Sequence, residues 1–252
     1  MLVYRYREAK SFNIEALLNY CVNGSLFKAF TDGSELNYDI SNEILHKYEI
    51  ELEDKQKVLD ILINNIKDKY YLACFTENNP FYTNNMWNEF ANKWNGFCLA
   101  YDFDEIRQRI IEQRIGQMSF EKVKYQNKPL CIDGLVEHIC SYDGVRKELE
   151  EDNIDEAVAK ATPTIKKLIM SMFLNKKVNN SDEKEVRMVM QGRGDDAPLR
   201  KQNMLSVKPK LIVLSNSVNI FDRKIIIDFA KKNDVLCLII NNPCLNAIEE
   251  AK

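Results

Sequence analysis

Residues 207–240 read VKPKLIVLSNSVNIFDRKIIIDFAKKNDVLCLII, and their pattern decides the fold class. The segment 207–214 ends in Leu211-Ile212-Val213-Leu214, apolar and short, as a buried strand is. Residues 221–232 read as a helix, and the second apolar run, 235–240, returns as a strand. This is a β-α-β unit, for which a parallel pair joined by a crossover helix is the default.

Upstream the same alternation of periods continues. Val3 to Tyr6 is predicted as a strand with Tyr4 and Tyr6 on one face and Arg5 and Arg7 on the other. Asn13 is read as the cap of a helix carrying Ile14, Leu17, Leu18 and Cys21, closed by Gly24. A strand from Ser25 to Phe30 and a polar loop over 31–39 follow. Residues 54–69 form a helix with Val58, Ile61, Leu62 and Ile66 as its buried stripe. Tyr70 to Thr76 is a strand, Met86 to Trp94 a short helix, and Phe97 to Tyr101 a strand. A helix over 103–115 precedes an alternating strand over 118–125.

Residues 132–175 are helical in at least two pieces, the last begun by Thr162 as cap and Pro163 in the first turn. Asn179 to Asp182 is a loop, Val186 to Met190 a strand, and 193–203 an exposed polar loop. The expectation is one α+β domain over 1–252. It has a mixed sheet with flanking helices, a helical insertion around 132–175 and the C-terminal β-α-β unit.

Composition sets the class and excludes others. With 252 residues, 45% hydrophobic and 29% charged, the chain can bury a real core and is not disordered. Its 35 basic and 38 acidic residues sum to −3, which removes the overall basic field of a dedicated nucleic-acid binder. The seven cysteines are odd in number and lack a C-x-x-C spacing, which fits a reducing cytoplasm. His46 and His138 stand far apart, so no metal site is expected. No signal peptide is read at the N-terminus and no run is long enough for a membrane span, so a cytoplasmic location is expected.

Three places can carry chemistry. Arg5 and Arg7 offer planar forks for phosphate or carboxylate, though surface charge is their plainer use. Met86-Trp87-Asn88-Glu89-Phe90-Ala91 and Trp94 hold both tryptophans, as core or as a stacking platform at a pocket edge. In Asp182-Glu183-Lys184-Glu185-Val186-Arg187, a strand reaching back far enough puts Glu183, Glu185 and Arg187 on one side. That side is read as solvent-accessible, either the rim of a site or a simple ion pair.

These places together resemble a bacterial family, domain of unknown function 2971. The resemblance rests on Tyr4-Arg5-Tyr6-Arg7, Phe75-Thr76-Glu77, Met86-Trp87-Asn88-Glu89-Phe90-Ala91, Gly96-Phe97-Cys98, Val123-Lys124-Tyr125 and Glu183-Lys184-Glu185-Val186-Arg187, in that order. One departure is Leu36-Asn37-Tyr38-Asp39-Ile40, where the family's Asn-Asp-Pro turn is missing.

A looser similarity is to ADP-ribosyltransferases, through Arg5, Thr76 and Glu183-Lys184-Glu185. It implies NAD as substrate. Arg5 would hold the pyrophosphate, with Arg7 a further cofactor-binding residue; Thr76 would orient the ribose, and Trp87 would stack near the nicotinamide. Glu185 would stabilise the ribosyl cation, and Glu183 would activate an acceptor or water. It also implies an effector of a toxin or phage-defence system, with a protein or nucleic-acid acceptor and a cognate antitoxin or defence partner. A metal-dependent nuclease using Asp182, Glu183 or Glu185, and a non-catalytic interaction or immunity module, are the alternatives. There is no Gly-x-Gly-x-x-Gly phosphate loop.

Overall fold

A computed structural model describes residues 1–27, 38–67, 69–113, 118–140, 160, 162–191, 204–241 and 248–250. Nine strands form its main sheet: β1 (Leu2–Glu8), β2 (Ser25–Leu26), β3 (Tyr70–Thr76), β4 (Gly96–Asp102), β5 (Met118–Lys122), β6 (Glu185–Gln191), β7 (Leu211–Ser215), β8 (Leu236–Ile240) and β9 (Ile248–Glu250). Their order is β9-β8-β7-β4-β1-β3-β6-β5, with β2 on the edge of β3. Only β7 and β8 run parallel; the other pairs are antiparallel.

The helices are α1 (Ser11–Leu18), α2 (Asn42–Lys47), α3 (Lys55–Lys67), α4 (Asn84–Phe90), α5 (Phe103–Gln113), α6 (Asp133–Cys140), α7 (Pro163–Met172) and α8 (Ile220–Lys232). The fold is α+β with a mixed sheet, and the C-terminal β-α-β unit is β7-α8-β8. Asn219 caps α8 by accepting from the Phe221 and Asp222 amides. Thr162 caps α7 with Pro163 in its first turn. Helices α6 and α7 lie in the expected insertion, while residues 141–159 fall outside the described part. So does the polar loop over 193–203.

Alternation along the strands loads both faces of the sheet. Tyr71, Ala73 and Phe75 of β3 join Val186, Met188 and Met190 of β6 in one core. Tyr70 and Leu72 of β3 join Val189 of β6 in a second core, against α3, α6 and α7.

The joint between β1 and its neighbours is uneven, and it positions the site. Strand β1 pairs with β4 along its whole length, from Leu2↔Asp102 to Glu8↔Gly96. With β3 it shares one register pair, Tyr4↔Thr76. Further along β3, the edge is taken by β2, through Ser25↔Leu72 and Leu26↔Tyr71. The sheet therefore splits between β1 and β3.

Two glycines hold this arrangement by lacking a side chain. A Cβ on Gly96 would lie 2.2 Å from the Arg7 carbonyl, so only glycine lets β1 and β4 close there. A Cβ on Gly24 would lie 2.2 Å from Met190 Cε and 2.9 Å from Tyr71 Cβ. Gly24 is thus a crossing point over the sheet and not the end of a helix.

Other expectations need correction. Helix α1 starts at Ser11, so Asn13 is no cap: it is buried, and its amide donates to the Glu8 carbonyl at 2.9 Å. Cys21 has left the helix for the short strand Cys21–Asn23, which pairs with Met204–Ser206. The strand expected over 25–30 is described only as Ser25–Leu26, and 28–37 lie outside the described part. The segment 118–125 breaks at Val123, after which Lys124–Tyr125 pair with Asn175–Lys176 instead of continuing along β6. Among the described residues no helix is long and apolar enough to cross a membrane.

Candidate functional site

The split between β1 and β3 opens into a cleft of about 410 Å³. That volume lies in the ordinary range for small-molecule sites, roughly 300–1,000 Å³. Tyr4, Arg5, Tyr6 and Arg7 come from β1, and Cys74, Phe75 and Thr76 from β3. Glu185 comes from β6, Met86, Glu89 and Phe90 from α4, and Lys176, Asn180 and Glu183 from the chain before β6. Five of the six site residues read from the sequence therefore share one cleft: Arg5, Arg7, Thr76, Glu183 and Glu185. They converge because β1, β3 and β6 are neighbours, with Tyr4, Thr76 and Glu185 in one cross-strand row.

Trp87 is the exception and a correction. It is fully buried, donates from Nε1 to the Pro80 carbonyl at 2.8 Å, and stacks on Trp94 with ring centroids 4.8 Å apart. Tyr6 meets it edge-on at 5.1 Å. With the side chain fully covered and its polar tip used, no surface is left for a cofactor. The stack is made by the turn after α4, where Asn92, Lys93 and Trp94 all take positive φ, 47°, 52° and 70°. Consecutive non-glycine residues in that region are uncommon, and burial of two indoles is what holds them there.

Glu183 and Glu185 are not strand neighbours. Val178–Glu183 is a 3-10 helix, and Lys184 takes a left-handed conformation with φ 45°, so β6 begins at Glu185. The Thr76 hydroxyl donates to the Glu183 carbonyl at 2.5 Å and accepts from the Asn78 amide at 2.9 Å. Thr76 thus pins the 3-10 helix to the end of β3.

The Glu185 carboxylate is buried, contrary to the expected exposed strand end. Arg187 grips it with a two-point fork, Nε to Oε1 and Nη2 to Oε2, both 2.8 Å, and donates from Nη1 to the Phe173 carbonyl at 2.8 Å. The Lys176 ammonium stands 3.6 Å from Glu185 Oε2 and 3.0 Å from Glu183 Oε2. Asn180 donates to Glu183 Oε1 at 2.9 Å. Burial alone raises the Glu185 pKa, but Arg187, Lys176 and a Cys74 hydrogen bond outweigh it and hold the carboxyl below its ordinary value. Tyr125 donates no charge here; its hydroxyl accepts from the Glu185 amide at 2.8 Å, and burial pushes its pKa up to about 12.

Two carboxylates are thereby matched by two cations, Lys176 and Arg187. Arg5 and Arg7 are different. Arg5 is only 5% exposed, its Nη2 donates to the Asn23 carbonyl, and its guanidinium lies 5.4 Å from the Phe75 ring centroid. Arg7, half-buried, reaches the same carbonyl at 3.4 Å. Neither is in ion-pair reach of a carboxylate among the described residues. The lining therefore sets three cations, Arg5, Arg7 and Lys176, against three carboxylates, Glu89, Glu183 and Glu185, and among the described residues only Lys176 is in ion-pair reach of any of them.

Sequence reasoning missed Lys176, Asn180 and Glu89. Glu89 had a usable signal, since it shares a helix face with Met86 and Phe90 by i, i+3, i+4 spacing. Lys176 had none, because it reaches the carboxylates through the pairing of Asn175–Lys176 with Lys124–Tyr125.

The family model described as "Protein of unknown function (DUF2971)" matches residues 86–188. The chain resembles that family over the stretch from Met86 of α4 to Met188 of β6. No curated protein and no solved structure matches the chain. No ADP-ribosyltransferase is among the matches, so that looser similarity rests on Arg5, Thr76 and Glu183-Lys184-Glu185 alone.

Proposed function

We propose that the cleft binds an anionic, ribose-bearing ligand of the NAD type and breaks its nicotinamide–ribose bond. The observation that carries this reading is the Arg5–Arg7 pair, two cations with no carboxylate partner among the described residues, lining a cleft of ligand size. Holding a desolvated guanidinium without a counter-charge is costly, and a bound phosphate removes that cost.

In this reading Arg5 and Arg7 hold the pyrophosphate. Thr76 keeps one free lone pair for a ribose hydroxyl. Glu185 stays ionised beside the reacting ribose, where positive charge develops as the glycosidic C–N bond breaks. The bonding electron pair leaves with nicotinamide, which departs neutral, so no general acid is needed. The ribosyl carbon is captured by an acceptor nucleophile, whose proton passes to Glu183, or by water, which loses its proton to bulk solvent. Transfer to an acceptor makes an ADP-ribosyltransferase, and capture by water an NAD glycohydrolase. An enzyme that drains NAD in the cytoplasm fits a toxin or phage-defence effector with a cognate antitoxin or defence partner. The nuclease alternative draws less support, because a divalent cation on Glu183 and Glu185 would have to displace Lys176 and Arg187.

The test is nicotinamide release from NAD by the purified protein, with and without divalent metal. The expected result is metal-independent release, with Glu183→Gln sparing hydrolysis and reducing transfer to an acceptor. Metal-dependent nucleic-acid cleavage without nicotinamide release would replace this reading with the nuclease.

A further inference from the structure

Helix α4 turns two unlike faces to its surroundings. Trp87 is buried on one, with Ala91 and Trp94 beyond the helix end. Met86, Glu89 and Phe90 lie on the other and line the cleft. Phe90 is 47% exposed there, a large ring that contributes to no buried cluster. Met86 is half-buried against the Trp87–Trp94 stack, which gives the wall a rigid backing. Glu89 is exposed and has no hydrogen bond or ion pair among the described residues, in contrast to Glu183 and Glu185.

A single exposed phenylalanine on a helix needs no explanation. This one differs in sharing a cleft with two arginines that have no carboxylate partner, and a carboxylate that has no cation, among the described residues. An aromatic wall, a free acceptor and a pair of phosphate forks match the three parts of one ligand chemistry. Those parts are a flat ring bearing N–H groups, a hydroxylated sugar and a phosphate.

We propose that the Met86–Glu89–Phe90 face is a ring-reading wall, and that the cleft selects nucleotides over simple phosphates. Phe90 and Met86 contact the flat face of a nitrogen heterocycle, and Glu89 accepts from its N–H groups or from a ribose hydroxyl. This rests on the anion-binding part of the reading above and is independent of bond cleavage.

The experiment is calorimetric titration of the full chain with AMP, ribose 5-phosphate and pyrophosphate. Wild type is expected to bind AMP on the order of tenfold more tightly than ribose 5-phosphate, the scale of one base–aromatic stack. Phe90→Ala should bring AMP down to the ribose 5-phosphate level and leave pyrophosphate unchanged, while Phe90→Tyr should keep the preference. Equal binding of AMP and ribose 5-phosphate by wild type overturns the proposal, as does an undiminished preference in Phe90→Ala. Failure of all three phosphates to bind overturns both this proposal and the anion cleft beneath it. An AMP preference in a protein that releases no nicotinamide sinks the cleavage reading and supports the ring-reading wall.

Discussion

Arg187 and Arg5 are buried arginines on strands of the same sheet, and they are handled in opposite ways. Arg187 sits on β6, which is paired on both sides, by β3 and by β5. It spends its fork on Glu185 and another donor on the Phe173 carbonyl. Arg5 sits on β1 where that strand parts from β3, and it meets one carbonyl and one ring face. A charge matched inside the protein belongs to the architecture. A charge with no carboxylate partner among the described residues, at a split in the sheet, is the feature on which the proposed anion site rests.

The largest effect should come from breaking the matched pair. Arg187→Met leaves Glu185 buried without its main partner, which costs about 3–5 kcal/mol. Thermal unfolding should register this as a fall of about 10 °C for a chain of this size. Adding Glu185→Leu should recover much of the loss, since an apolar pair of similar volume avoids the desolvation of both charges. A single variant that melts like wild type would mean that the pair contributes nothing. For the same reason Glu185→Gln is a poor probe of catalysis, because it disturbs folding and activity together.

Acid should act next. The Glu185 pKa is held below its unfolded value, so between the two values the unfolded chain binds the extra proton. The stabilisation is complete above the ordinary glutamate value of about 4.3 and is lost as pH falls through the depressed folded value. Denaturant unfolding followed from neutral pH downward should show stability falling in that acid window. The fall should be shallower in the Arg187→Met, Glu185→Leu double variant. An equal acid slope in the two proteins would assign the loss to other carboxylates.

The smallest change in stability should come from Arg5→Met. Losing the hydrogen bond to the Asn23 carbonyl destabilises, and relief from a desolvated, uncompensated charge offsets it, for a net change within about 1 kcal/mol. Pyrophosphate binding should nevertheless fall at least tenfold. A loss of stability as large as that of Arg187→Met, with binding intact, would make the two arginines alike and end the comparison.

Much of this molecule was legible in the order of its residues. The strands at Tyr70–Thr76 and Leu236–Ile240, the helix with Val58, Leu62 and Ile66 inward, and the caps Thr162 and Asn219 all follow from local rules. Asn219 carries the same kind of signal as Thr162, a short polar side chain just ahead of a helix. Such features depend on dihedral preference and on burial of one face, both encoded within a few neighbouring residues. The separation of Tyr4 and Tyr6 from Arg5 and Arg7 on β1 belongs with them, because period two is enough to predict it.

Tertiary structure alone decided which of the candidates meet. The residues Arg5, Thr76 and Glu185 lie far apart in sequence and come together because β1, β3 and β6 are adjacent. The burial of Trp87 and the exposure of Phe90, three residues apart on one helix, turn on which face α4 presents to Tyr6. The cation beside Glu183 is Lys176, delivered by a two-residue pairing that no local pattern announces. Composition and periodicity say that a side chain is charged or apolar and which way its strand or helix face turns. Whether that charge is neutralised, and whether that ring is covered, depends on side chains delivered from distant parts of the chain, and those long-range pairings exist only once the sheet has assembled.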